Sequence, residues 1–186
     1  MNKTFVFLFL MVLTFQYIKG QNASVEKNIF NVQTGILGIW ASNENKLGND
    51  FTIRVETGLD MGYYISAYSD DRYVLAPVFL LEPKWYYNLE SRLNKGKHIE
   101  NNSGNFLGLK VKYVPDWFVI SDFDNYSVAN QVSIIPRWGI RRAIGKSNFN
   151  YEIATGLGYK YVFLKNTDND LRLVLDVHLR IGYTFN

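Results

Sequence analysis

His178 stands two residues after Asp176, and a carboxylate can orient an imidazole that activates a nucleophile, so the pair invites a hydrolase reading. The other histidine, His98, lies in a basic stretch with Lys95 and Lys97, and the chain has no cysteine. A dedicated transition-metal site is therefore not expected, and no cofactor is implied. The acids Asp70, Asp71, Asp122 and Asp124 sit in turn-like sequence and could hold calcium or bridge to a lipid phosphate, although solvated turn acids are far commoner. The basic run from Arg92 to Lys97 could meet peptidoglycan or a periplasmic partner, with a solvated turn as the ordinary alternative.

The largest set of charges is spread along the chain at alternate positions. Arg54, Lys84, Lys110, Lys112, Arg137, Arg141, Lys160, Arg172 and Arg180 share one phase with Glu56, Asp60, Glu82, Glu152, Asp176 and His178. Charges withdrawn from water must be paired, so such a face predicts a mutually satisfied polar interior. An excess of cations would instead give an anion-attracting passage.

The elements that carry these residues alternate with period two. Phe51, Ile53, Val55, Leu59 and Met61 oppose Arg54, Glu56 and Asp60; Tyr73, Leu75, Phe79, Leu81, Trp85 and Tyr87 oppose Glu82 and Lys84. Leu107 to Tyr113, Val128 to Ile140, Phe149 to Phe163 and Leu171 to Phe185 repeat the pattern. This is strand periodicity, and no helical apolar stripe of ordinary length accompanies it. The six segments place 35 large apolar side chains on one face. An eight-stranded barrel encloses roughly a dozen. Sandwich strands usually run about five or six residues, far fewer than these. The apolar face is therefore expected to look outward at lipid, with aromatics near the segment ends (Trp85 and Tyr87, Phe149 and Tyr151, Tyr161 and Phe163, Tyr183 and Phe185) as interfacial girdles.

Strand parity bears on the stretch from Asn28 to Lys46. Gly35-Ile36-Leu37-Gly38 offers a turn that would split it into strands 28 to 35 and 38 to 46, giving eight; one long strand is the rival and would leave seven. A helical turn is expected around Leu89 to Leu93, and a bulge or kink at Pro115-Asp116. Pro77, Pro83 and Pro136 lie within strands, where each removes a ladder donor.

Of 186 residues, 47% are apolar, 16% aromatic and 20% charged, which excludes disorder. Residues 1–20 combine Lys3 with an apolar run from Phe5 to Phe15, too short for a stop-transfer helix, and read as a cleaved signal peptide, leaving 21–186 as the barrel domain. Cleavage after Gly20 or after Ala23 fits. Removing Lys3 and Lys19 takes the formal charge from +3 to +1, so no nucleic-acid partner is expected.

Trp40 to Leu47 with Glu44 before a short turn, Glu82-Pro83-Lys84-Trp85-Tyr86-Tyr87-Asn88, Asn101-Asn102-Ser103-Gly104-Asn105 and the closing Arg180-Ile181-Gly182-Tyr183-Thr184-Phe185 resemble the small outer-membrane β-barrel proteins common in Bacteroidetes. The resemblance covers nearly the whole mature chain. It implies a closed antiparallel up-and-down transmembrane barrel of eight strands in the bacterial outer membrane, a monomer among lipopolysaccharide. Tyr183 and Phe185 would be the signal read by the barrel assembly machinery, with Asn186 after Phe185 as a departure. The family brings no catalytic residues, so a structural or surface-interaction role is expected rather than an enzyme. The alternatives are a lipid-A-modifying outer-membrane enzyme of acyl-hydrolase type and a narrow, porin-like channel for solutes or anions.

Overall fold

The computed structural model describes residues 23–64, 72–122, 126–164 and 168–185. The proposed signal peptide, the turn Ser69-Asp70-Asp71 and Asp124 lie outside the described residues.

Among the described residues nine strands form in chain order: β1 (Asn28–Gly35), β2 (Gly38–Lys46), β3 (Phe51–Tyr64), β4 (Arg72–Trp85), β5 (Asn105–Val114), β6 (Ile120–Ser121), β7 (Gln131–Ala143), β8 (Phe149–Val162) and β9 (Asp170–Phe185). The long strands pair antiparallel each with the next and β9 closes on β1, so eight strands make a closed up-and-down barrel, with the two-residue β6, antiparallel to β4, outside the count. The hairpin reading of residues 28–46 is therefore the right one, with Gly35 facing Gly38 across a turn at Ile36-Leu37.

The ladders are strongly staggered. Following partners from Phe30 through Asn43, Val55, Leu81, Val111, Ile134 and Tyr159 arrives on β9 at Leu173, whereas Phe30 itself faces Phe185 across the closing ladder, twelve residues away. A closed sheet needs such a shear, and its size goes with strand tilt.

The prolines fall where a ladder is interrupted. Pro83 sits in the break between Leu81↔Val111 and Lys84↔Gly108, and Pro136 in the break between Ile134↔Tyr159 and Arg137↔Gly156. At Pro77, β4 changes partner: its pairing with β5 ends at Phe79↔Tyr113 and its pairing with β6 begins at Leu75↔Ile120. Three residues of β4 (76–78) thus oppose six of the facing chain (114–119), which bulges at Pro115, Asp116, Trp117 and Phe118, the place the sequence predicts. A residue without an N–H costs nothing where no partner accepts one. One segment boundary is corrected: Val128 is not in a strand but packs beside Trp40, Ala76, Val78 and Val114 inside the barrel, and β7 begins at Gln131.

The two faces divide as the alternation requires. Along β8 and β9 the odd-numbered apolar residues are exposed on the outside and the even positions point inward, from Asn150 and Glu152 to His178 and Arg180. Aromatic rings gather at the two ends of the outer wall. At one end Phe51 stacks on Trp85, Trp85 meets Tyr87, and Phe149, Tyr183, Phe185 and Phe30 form a continuous chain of ring contacts. Tyr161 and Phe163 pair near the other end. Trp85, Trp117 and Trp138 are exposed, while Trp40 is buried in the lumen between Gly38 and Gly58, where added Cβ atoms would strike its ring.

The strand ends Asn28, Lys46, Phe51, Trp85, Asn105, Ala143, Phe149 and Phe185 share one end of the barrel, here called the base. A helix, α1 (Leu89–Asn94), and a 3-10 turn at Glu100–Asn102 cross it. Leu89, Tyr86, Phe106, Val25 and Ala154 form an apolar cluster that plugs this end, with Gly139 leaving room for the Phe106 ring. The stretch from Asn101 to Gly104, read from sequence as a turn, is buried and belongs to the plug.

Candidate functional site

Above the plug lies a closed layer of charge built on Glu152 of β8. Arg54 of β3 grips Glu152 with its two terminal guanidinium nitrogens, Nη1 and Nη2, at 2.8 and 2.6 Å, and its Nε donates to Glu44 of β2 at 3.0 Å. Lys84 sits 3.3 Å from Glu152 and 3.7 Å from both Glu44 and Glu82, with its ammonium 4.0 Å from the Phe106 ring centroid. Arg141 approaches Glu152 at 3.5 Å, and Arg137 makes a two-pronged pair with Glu82. Every one of these side chains is buried. Carboxylates held this way survive desolvation only because each oxygen has a donor.

Neutral groups complete the coordination. Glu44 Oε1 accepts from the Thr52 hydroxyl (3.0 Å), the Tyr86 hydroxyl (2.9 Å) and the Asn102 side-chain amide (2.9 Å). Asn101 and Asn102 both adopt positive φ, 54° and 57°, a left-handed conformation that asparagine tolerates better than most residues. That turn aims the Asn101 carbonyl at Arg141 Nε (2.9 Å) and lets Asn102 Oδ1 accept from the Glu26 backbone (2.8 Å). The base plug and the charge layer are therefore one hydrogen-bonded unit.

Arg180 marks the transition upward, paired with Glu56 at 2.8 Å and lying 3.5 Å over the Trp40 ring. His178 is at the same level. Arginine can only donate, so the 3.0 Å contact from Arg137 Nη1 makes His178 Nδ1 an acceptor and places the imidazole proton on Nε2, which faces Glu152 at 3.3 Å. Asp176, the expected orienting acid, is instead held by Lys110 at 2.7 Å, with Arg137 at 3.5 Å.

The upper half is different in kind. A cavity of about 690 Å³ opens there, floored by His178 and Arg180 and lined by the apolar Trp40, Val114 and Ile135 as well as by Lys110, Lys112 and Lys160, with Lys110, Lys112 and Val114 following one another along β5. Lys112 pairs with Asp60 at 2.7 Å, and Asp60 also accepts from the Trp40 indole at 2.7 Å. Of the fifteen inner-phase residues expected from sequence, eleven meet in one connected set (Arg54, Glu56, Glu82, Lys84, Lys110, Arg137, Arg141, Glu152, Asp176, His178 and Arg180) and two more, Lys112 and Asp60, meet as a pair. Two do not. Lys160 lines the cavity without an ion pair among the described residues, and Arg172 pairs with Asp170 at the exposed rim. Both lie in the upper turns of β8 and β9, beyond the reach of the packed layer.

Glu44 was missed as a lumen residue. The clue was present: Ser42, Glu44 and Trp40 share one phase of β2, but Ala41, Asn43 and Asn45 opposite them break the apolar stripe that marked the other strands. Asp122, a candidate calcium ligand, accepts from the Tyr73 backbone N–H at 3.0 Å, as turn acids do. Among the described residues no group of three or more His, Asp or Glu could hold a metal ion. Arg92 donates to the His98 carbonyl at 2.8 Å and ties off the loop after α1.

Fold and interior together define a class: a closed eight-stranded antiparallel β-barrel with an apolar outer wall and a charged core. No protein-family model, curated protein or solved structure matches the chain.

Proposed function

We propose that the protein is an integral outer-membrane β-barrel whose filled lower lumen gives it a structural or surface-interaction role. The observation that carries this is the inversion of polarity. Large apolar side chains cover the outer wall of every long strand, while Arg54, Arg141, Lys84, Glu44, Glu82 and Glu152 are buried inside. In water the outer wall would be an apolar patch far larger than a soluble monomer exposes. In lipid it is the ordinary surface of a spanning barrel, bounded by aromatic rings at both ends. The strands would do the crossing, since no helix among the described residues is long and apolar enough.

On this reading residues 1–20 are a signal peptide, the base faces the periplasm, and Tyr183 and Phe185 present the final strand to the assembly machinery. The barrel would stand as a monomer among lipopolysaccharide. The paired layer and the base plug favour a non-conducting lumen over an anion passage. For an acyl hydrolase, His178 would need a free Nδ1 or Nε2 open to lipid, and it faces Arg137 and Glu152 instead.

The test is heat modifiability. The detergent-folded protein should migrate faster unheated than boiled on a denaturing gel, and identical mobility would overturn the barrel in the membrane.

A further inference from the structure

The barrel wall is not equally high all round. β1 and β2 have eight and nine residues and turn at Ile36-Leu37, whereas β3 has fourteen and β9 sixteen. β9 pairs with β1 only through Arg180–Phe185, and β2 meets β3 no further than Asp60. Above the hairpin the edge of β9 from Asp170 to Leu179 therefore has no ladder partner on that side among the described residues. The same holds for the facing edge of β3 beyond Met61, whose N–H donates to the Leu37 carbonyl at 2.7 Å. The result is a notch in the wall.

Its depth follows from the register. Phe30, in the basal aromatic chain, and Ile36, at the hairpin tip, are six residues apart. That is about 20 Å along a strand and about 15 Å in height at a barrel's usual tilt. A hydrocarbon core of about 25–30 Å puts the tip near the bilayer midplane, so the notch opens into the outer half of the membrane. An open strand edge at that depth must find partners, because lipid tails offer none. The notch leads directly into the upper cavity: Ile36, Leu37, Leu175, Val177 and Leu179 line the same space as Trp40 and Lys160.

From this juxtaposition we infer that the upper cavity is a lateral-access site for a single-chain anionic amphiphile. The ligand enters from the outer leaflet with its carboxylate or phosphate toward Lys160, Lys112 and Lys110 and its aliphatic chain past Trp40, Leu37 and Ile36 and out through the notch. The cavity volume is within the usual range for small-molecule sites. Its two lining acids are already engaged, Asp60 by Lys112 and Asp176 by Lys110, and the lining Arg172 and Arg180 are paired with Asp170 and Glu56. Lys160 is the cation left for an incoming anion among the described residues, and a charge-assisted contact is the strongest a polar head can make there.

The inference rests on the membrane reading, and its test separates the two. Trp85, Trp117 and Trp138 are exposed on the outer wall, so replacing them with Phe leaves Trp40 as the single reporter inside. The folded, heat-modifiable full chain in phosphatidylcholine bilayers is titrated with 12-bromododecanoate. Saturable quenching of Trp40 is expected, with little quenching from two-chain brominated phosphatidylcholine and no competition from inorganic phosphate at the same concentration. Lys160→Glu should weaken the half-saturation concentration about tenfold, the equivalent of one charged contact, and Lys160→Gln less. Non-saturating quenching, equal quenching by the two-chain lipid, displacement by inorganic phosphate alone, or unchanged affinity in folded Lys160 variants would each overturn the site. In every such case heat modifiability would still stand; loss of heat modifiability in the parent chain would instead overturn the membrane reading.

Discussion

The lower and upper halves of the lumen draw on the same residue types and do opposite things with them. Below, Arg54, Lys84, Arg137 and Arg141 surround Glu44, Glu82 and Glu152 so closely that every carboxylate meets at least two cations, and the base plug seals them from water. Above, Lys112 and Asp60 make a partly exposed pair beside an open cavity, and Lys160 has no counter-ion among the described residues. Burial makes a charge obligatory to pair and costly to disturb; partial exposure lets water do the work. The lower layer therefore ties β2, β3, β4, β7 and β8 into one mutually satisfied unit, and the upper half keeps an open cavity beside an uncommitted lysine.

The largest effect should come from the residue on which the lower layer converges. Glu152→Leu would leave Arg54, Lys84 and Arg141 buried around a vacated site, and breaking a buried ionic cluster from one side costs about 3–5 kcal/mol. A urea titration followed by the fraction of heat-modifiable protein should show the midpoint fall accordingly. A loss below about 1 kcal/mol would mean that the layer is a passenger rather than the clamp described above.

Lys112→Met asks the same question of the upper half. The pair with Asp60 is partly exposed on both sides, so the expected cost is about 0–1 kcal/mol and should shrink in high salt. If this substitution destabilised the barrel as much as Glu152→Leu, the contrast between the halves would fail.

How much of this was legible in the sequence follows the same divide. Strict alternation from Leu171 to Phe185 gave the strand and its division into two faces, and the number of large apolar side chains, not the alternation, decided which face looks outward. The hairpin at Gly35-Gly38 followed from parity, and thirteen of the fifteen inner-phase residues, placed by phase alone, are paired inside the barrel. What phase cannot supply is height along the barrel. Lys160 and Arg172 share the inward phase of Glu152 and Arg180, yet stand where the lumen is wide or open, and nothing local distinguishes them. Glu44 escaped because β2 carries asparagine and alanine on its outer face, and Asn101-Asn102 escaped because a polar, turn-forming stretch looks solvated until the tertiary fold tucks it under a barrel. The prolines looked like contradictions only while every strand was assumed to be paired throughout.

The smallest expected effect lies at the base, outside the barrel wall. Asp50, in the turn between β2 and β3, has its carboxyl raised above the ordinary aspartate range, first by partial burial and then by the nearby Glu90, with Lys46 pulling the other way. A carboxyl that is harder to ionise in the folded state than in the unfolded one weakens folding once pH lies above both values, and the penalty disappears as pH falls below the unfolded one. Asp50→Asn removes it at neutral pH, where a gain of about a few tenths of a kcal/mol is expected after solvent screening. The difference between the variant and the parent in the urea midpoint should therefore be positive at pH 7 and shrink as the parent's Asp50 protonates in acid. A difference that stayed constant with pH would assign the effect to the amide's hydrogen bonds and not to the charge, and the base would then be as insensitive to ionisation as the upper pair.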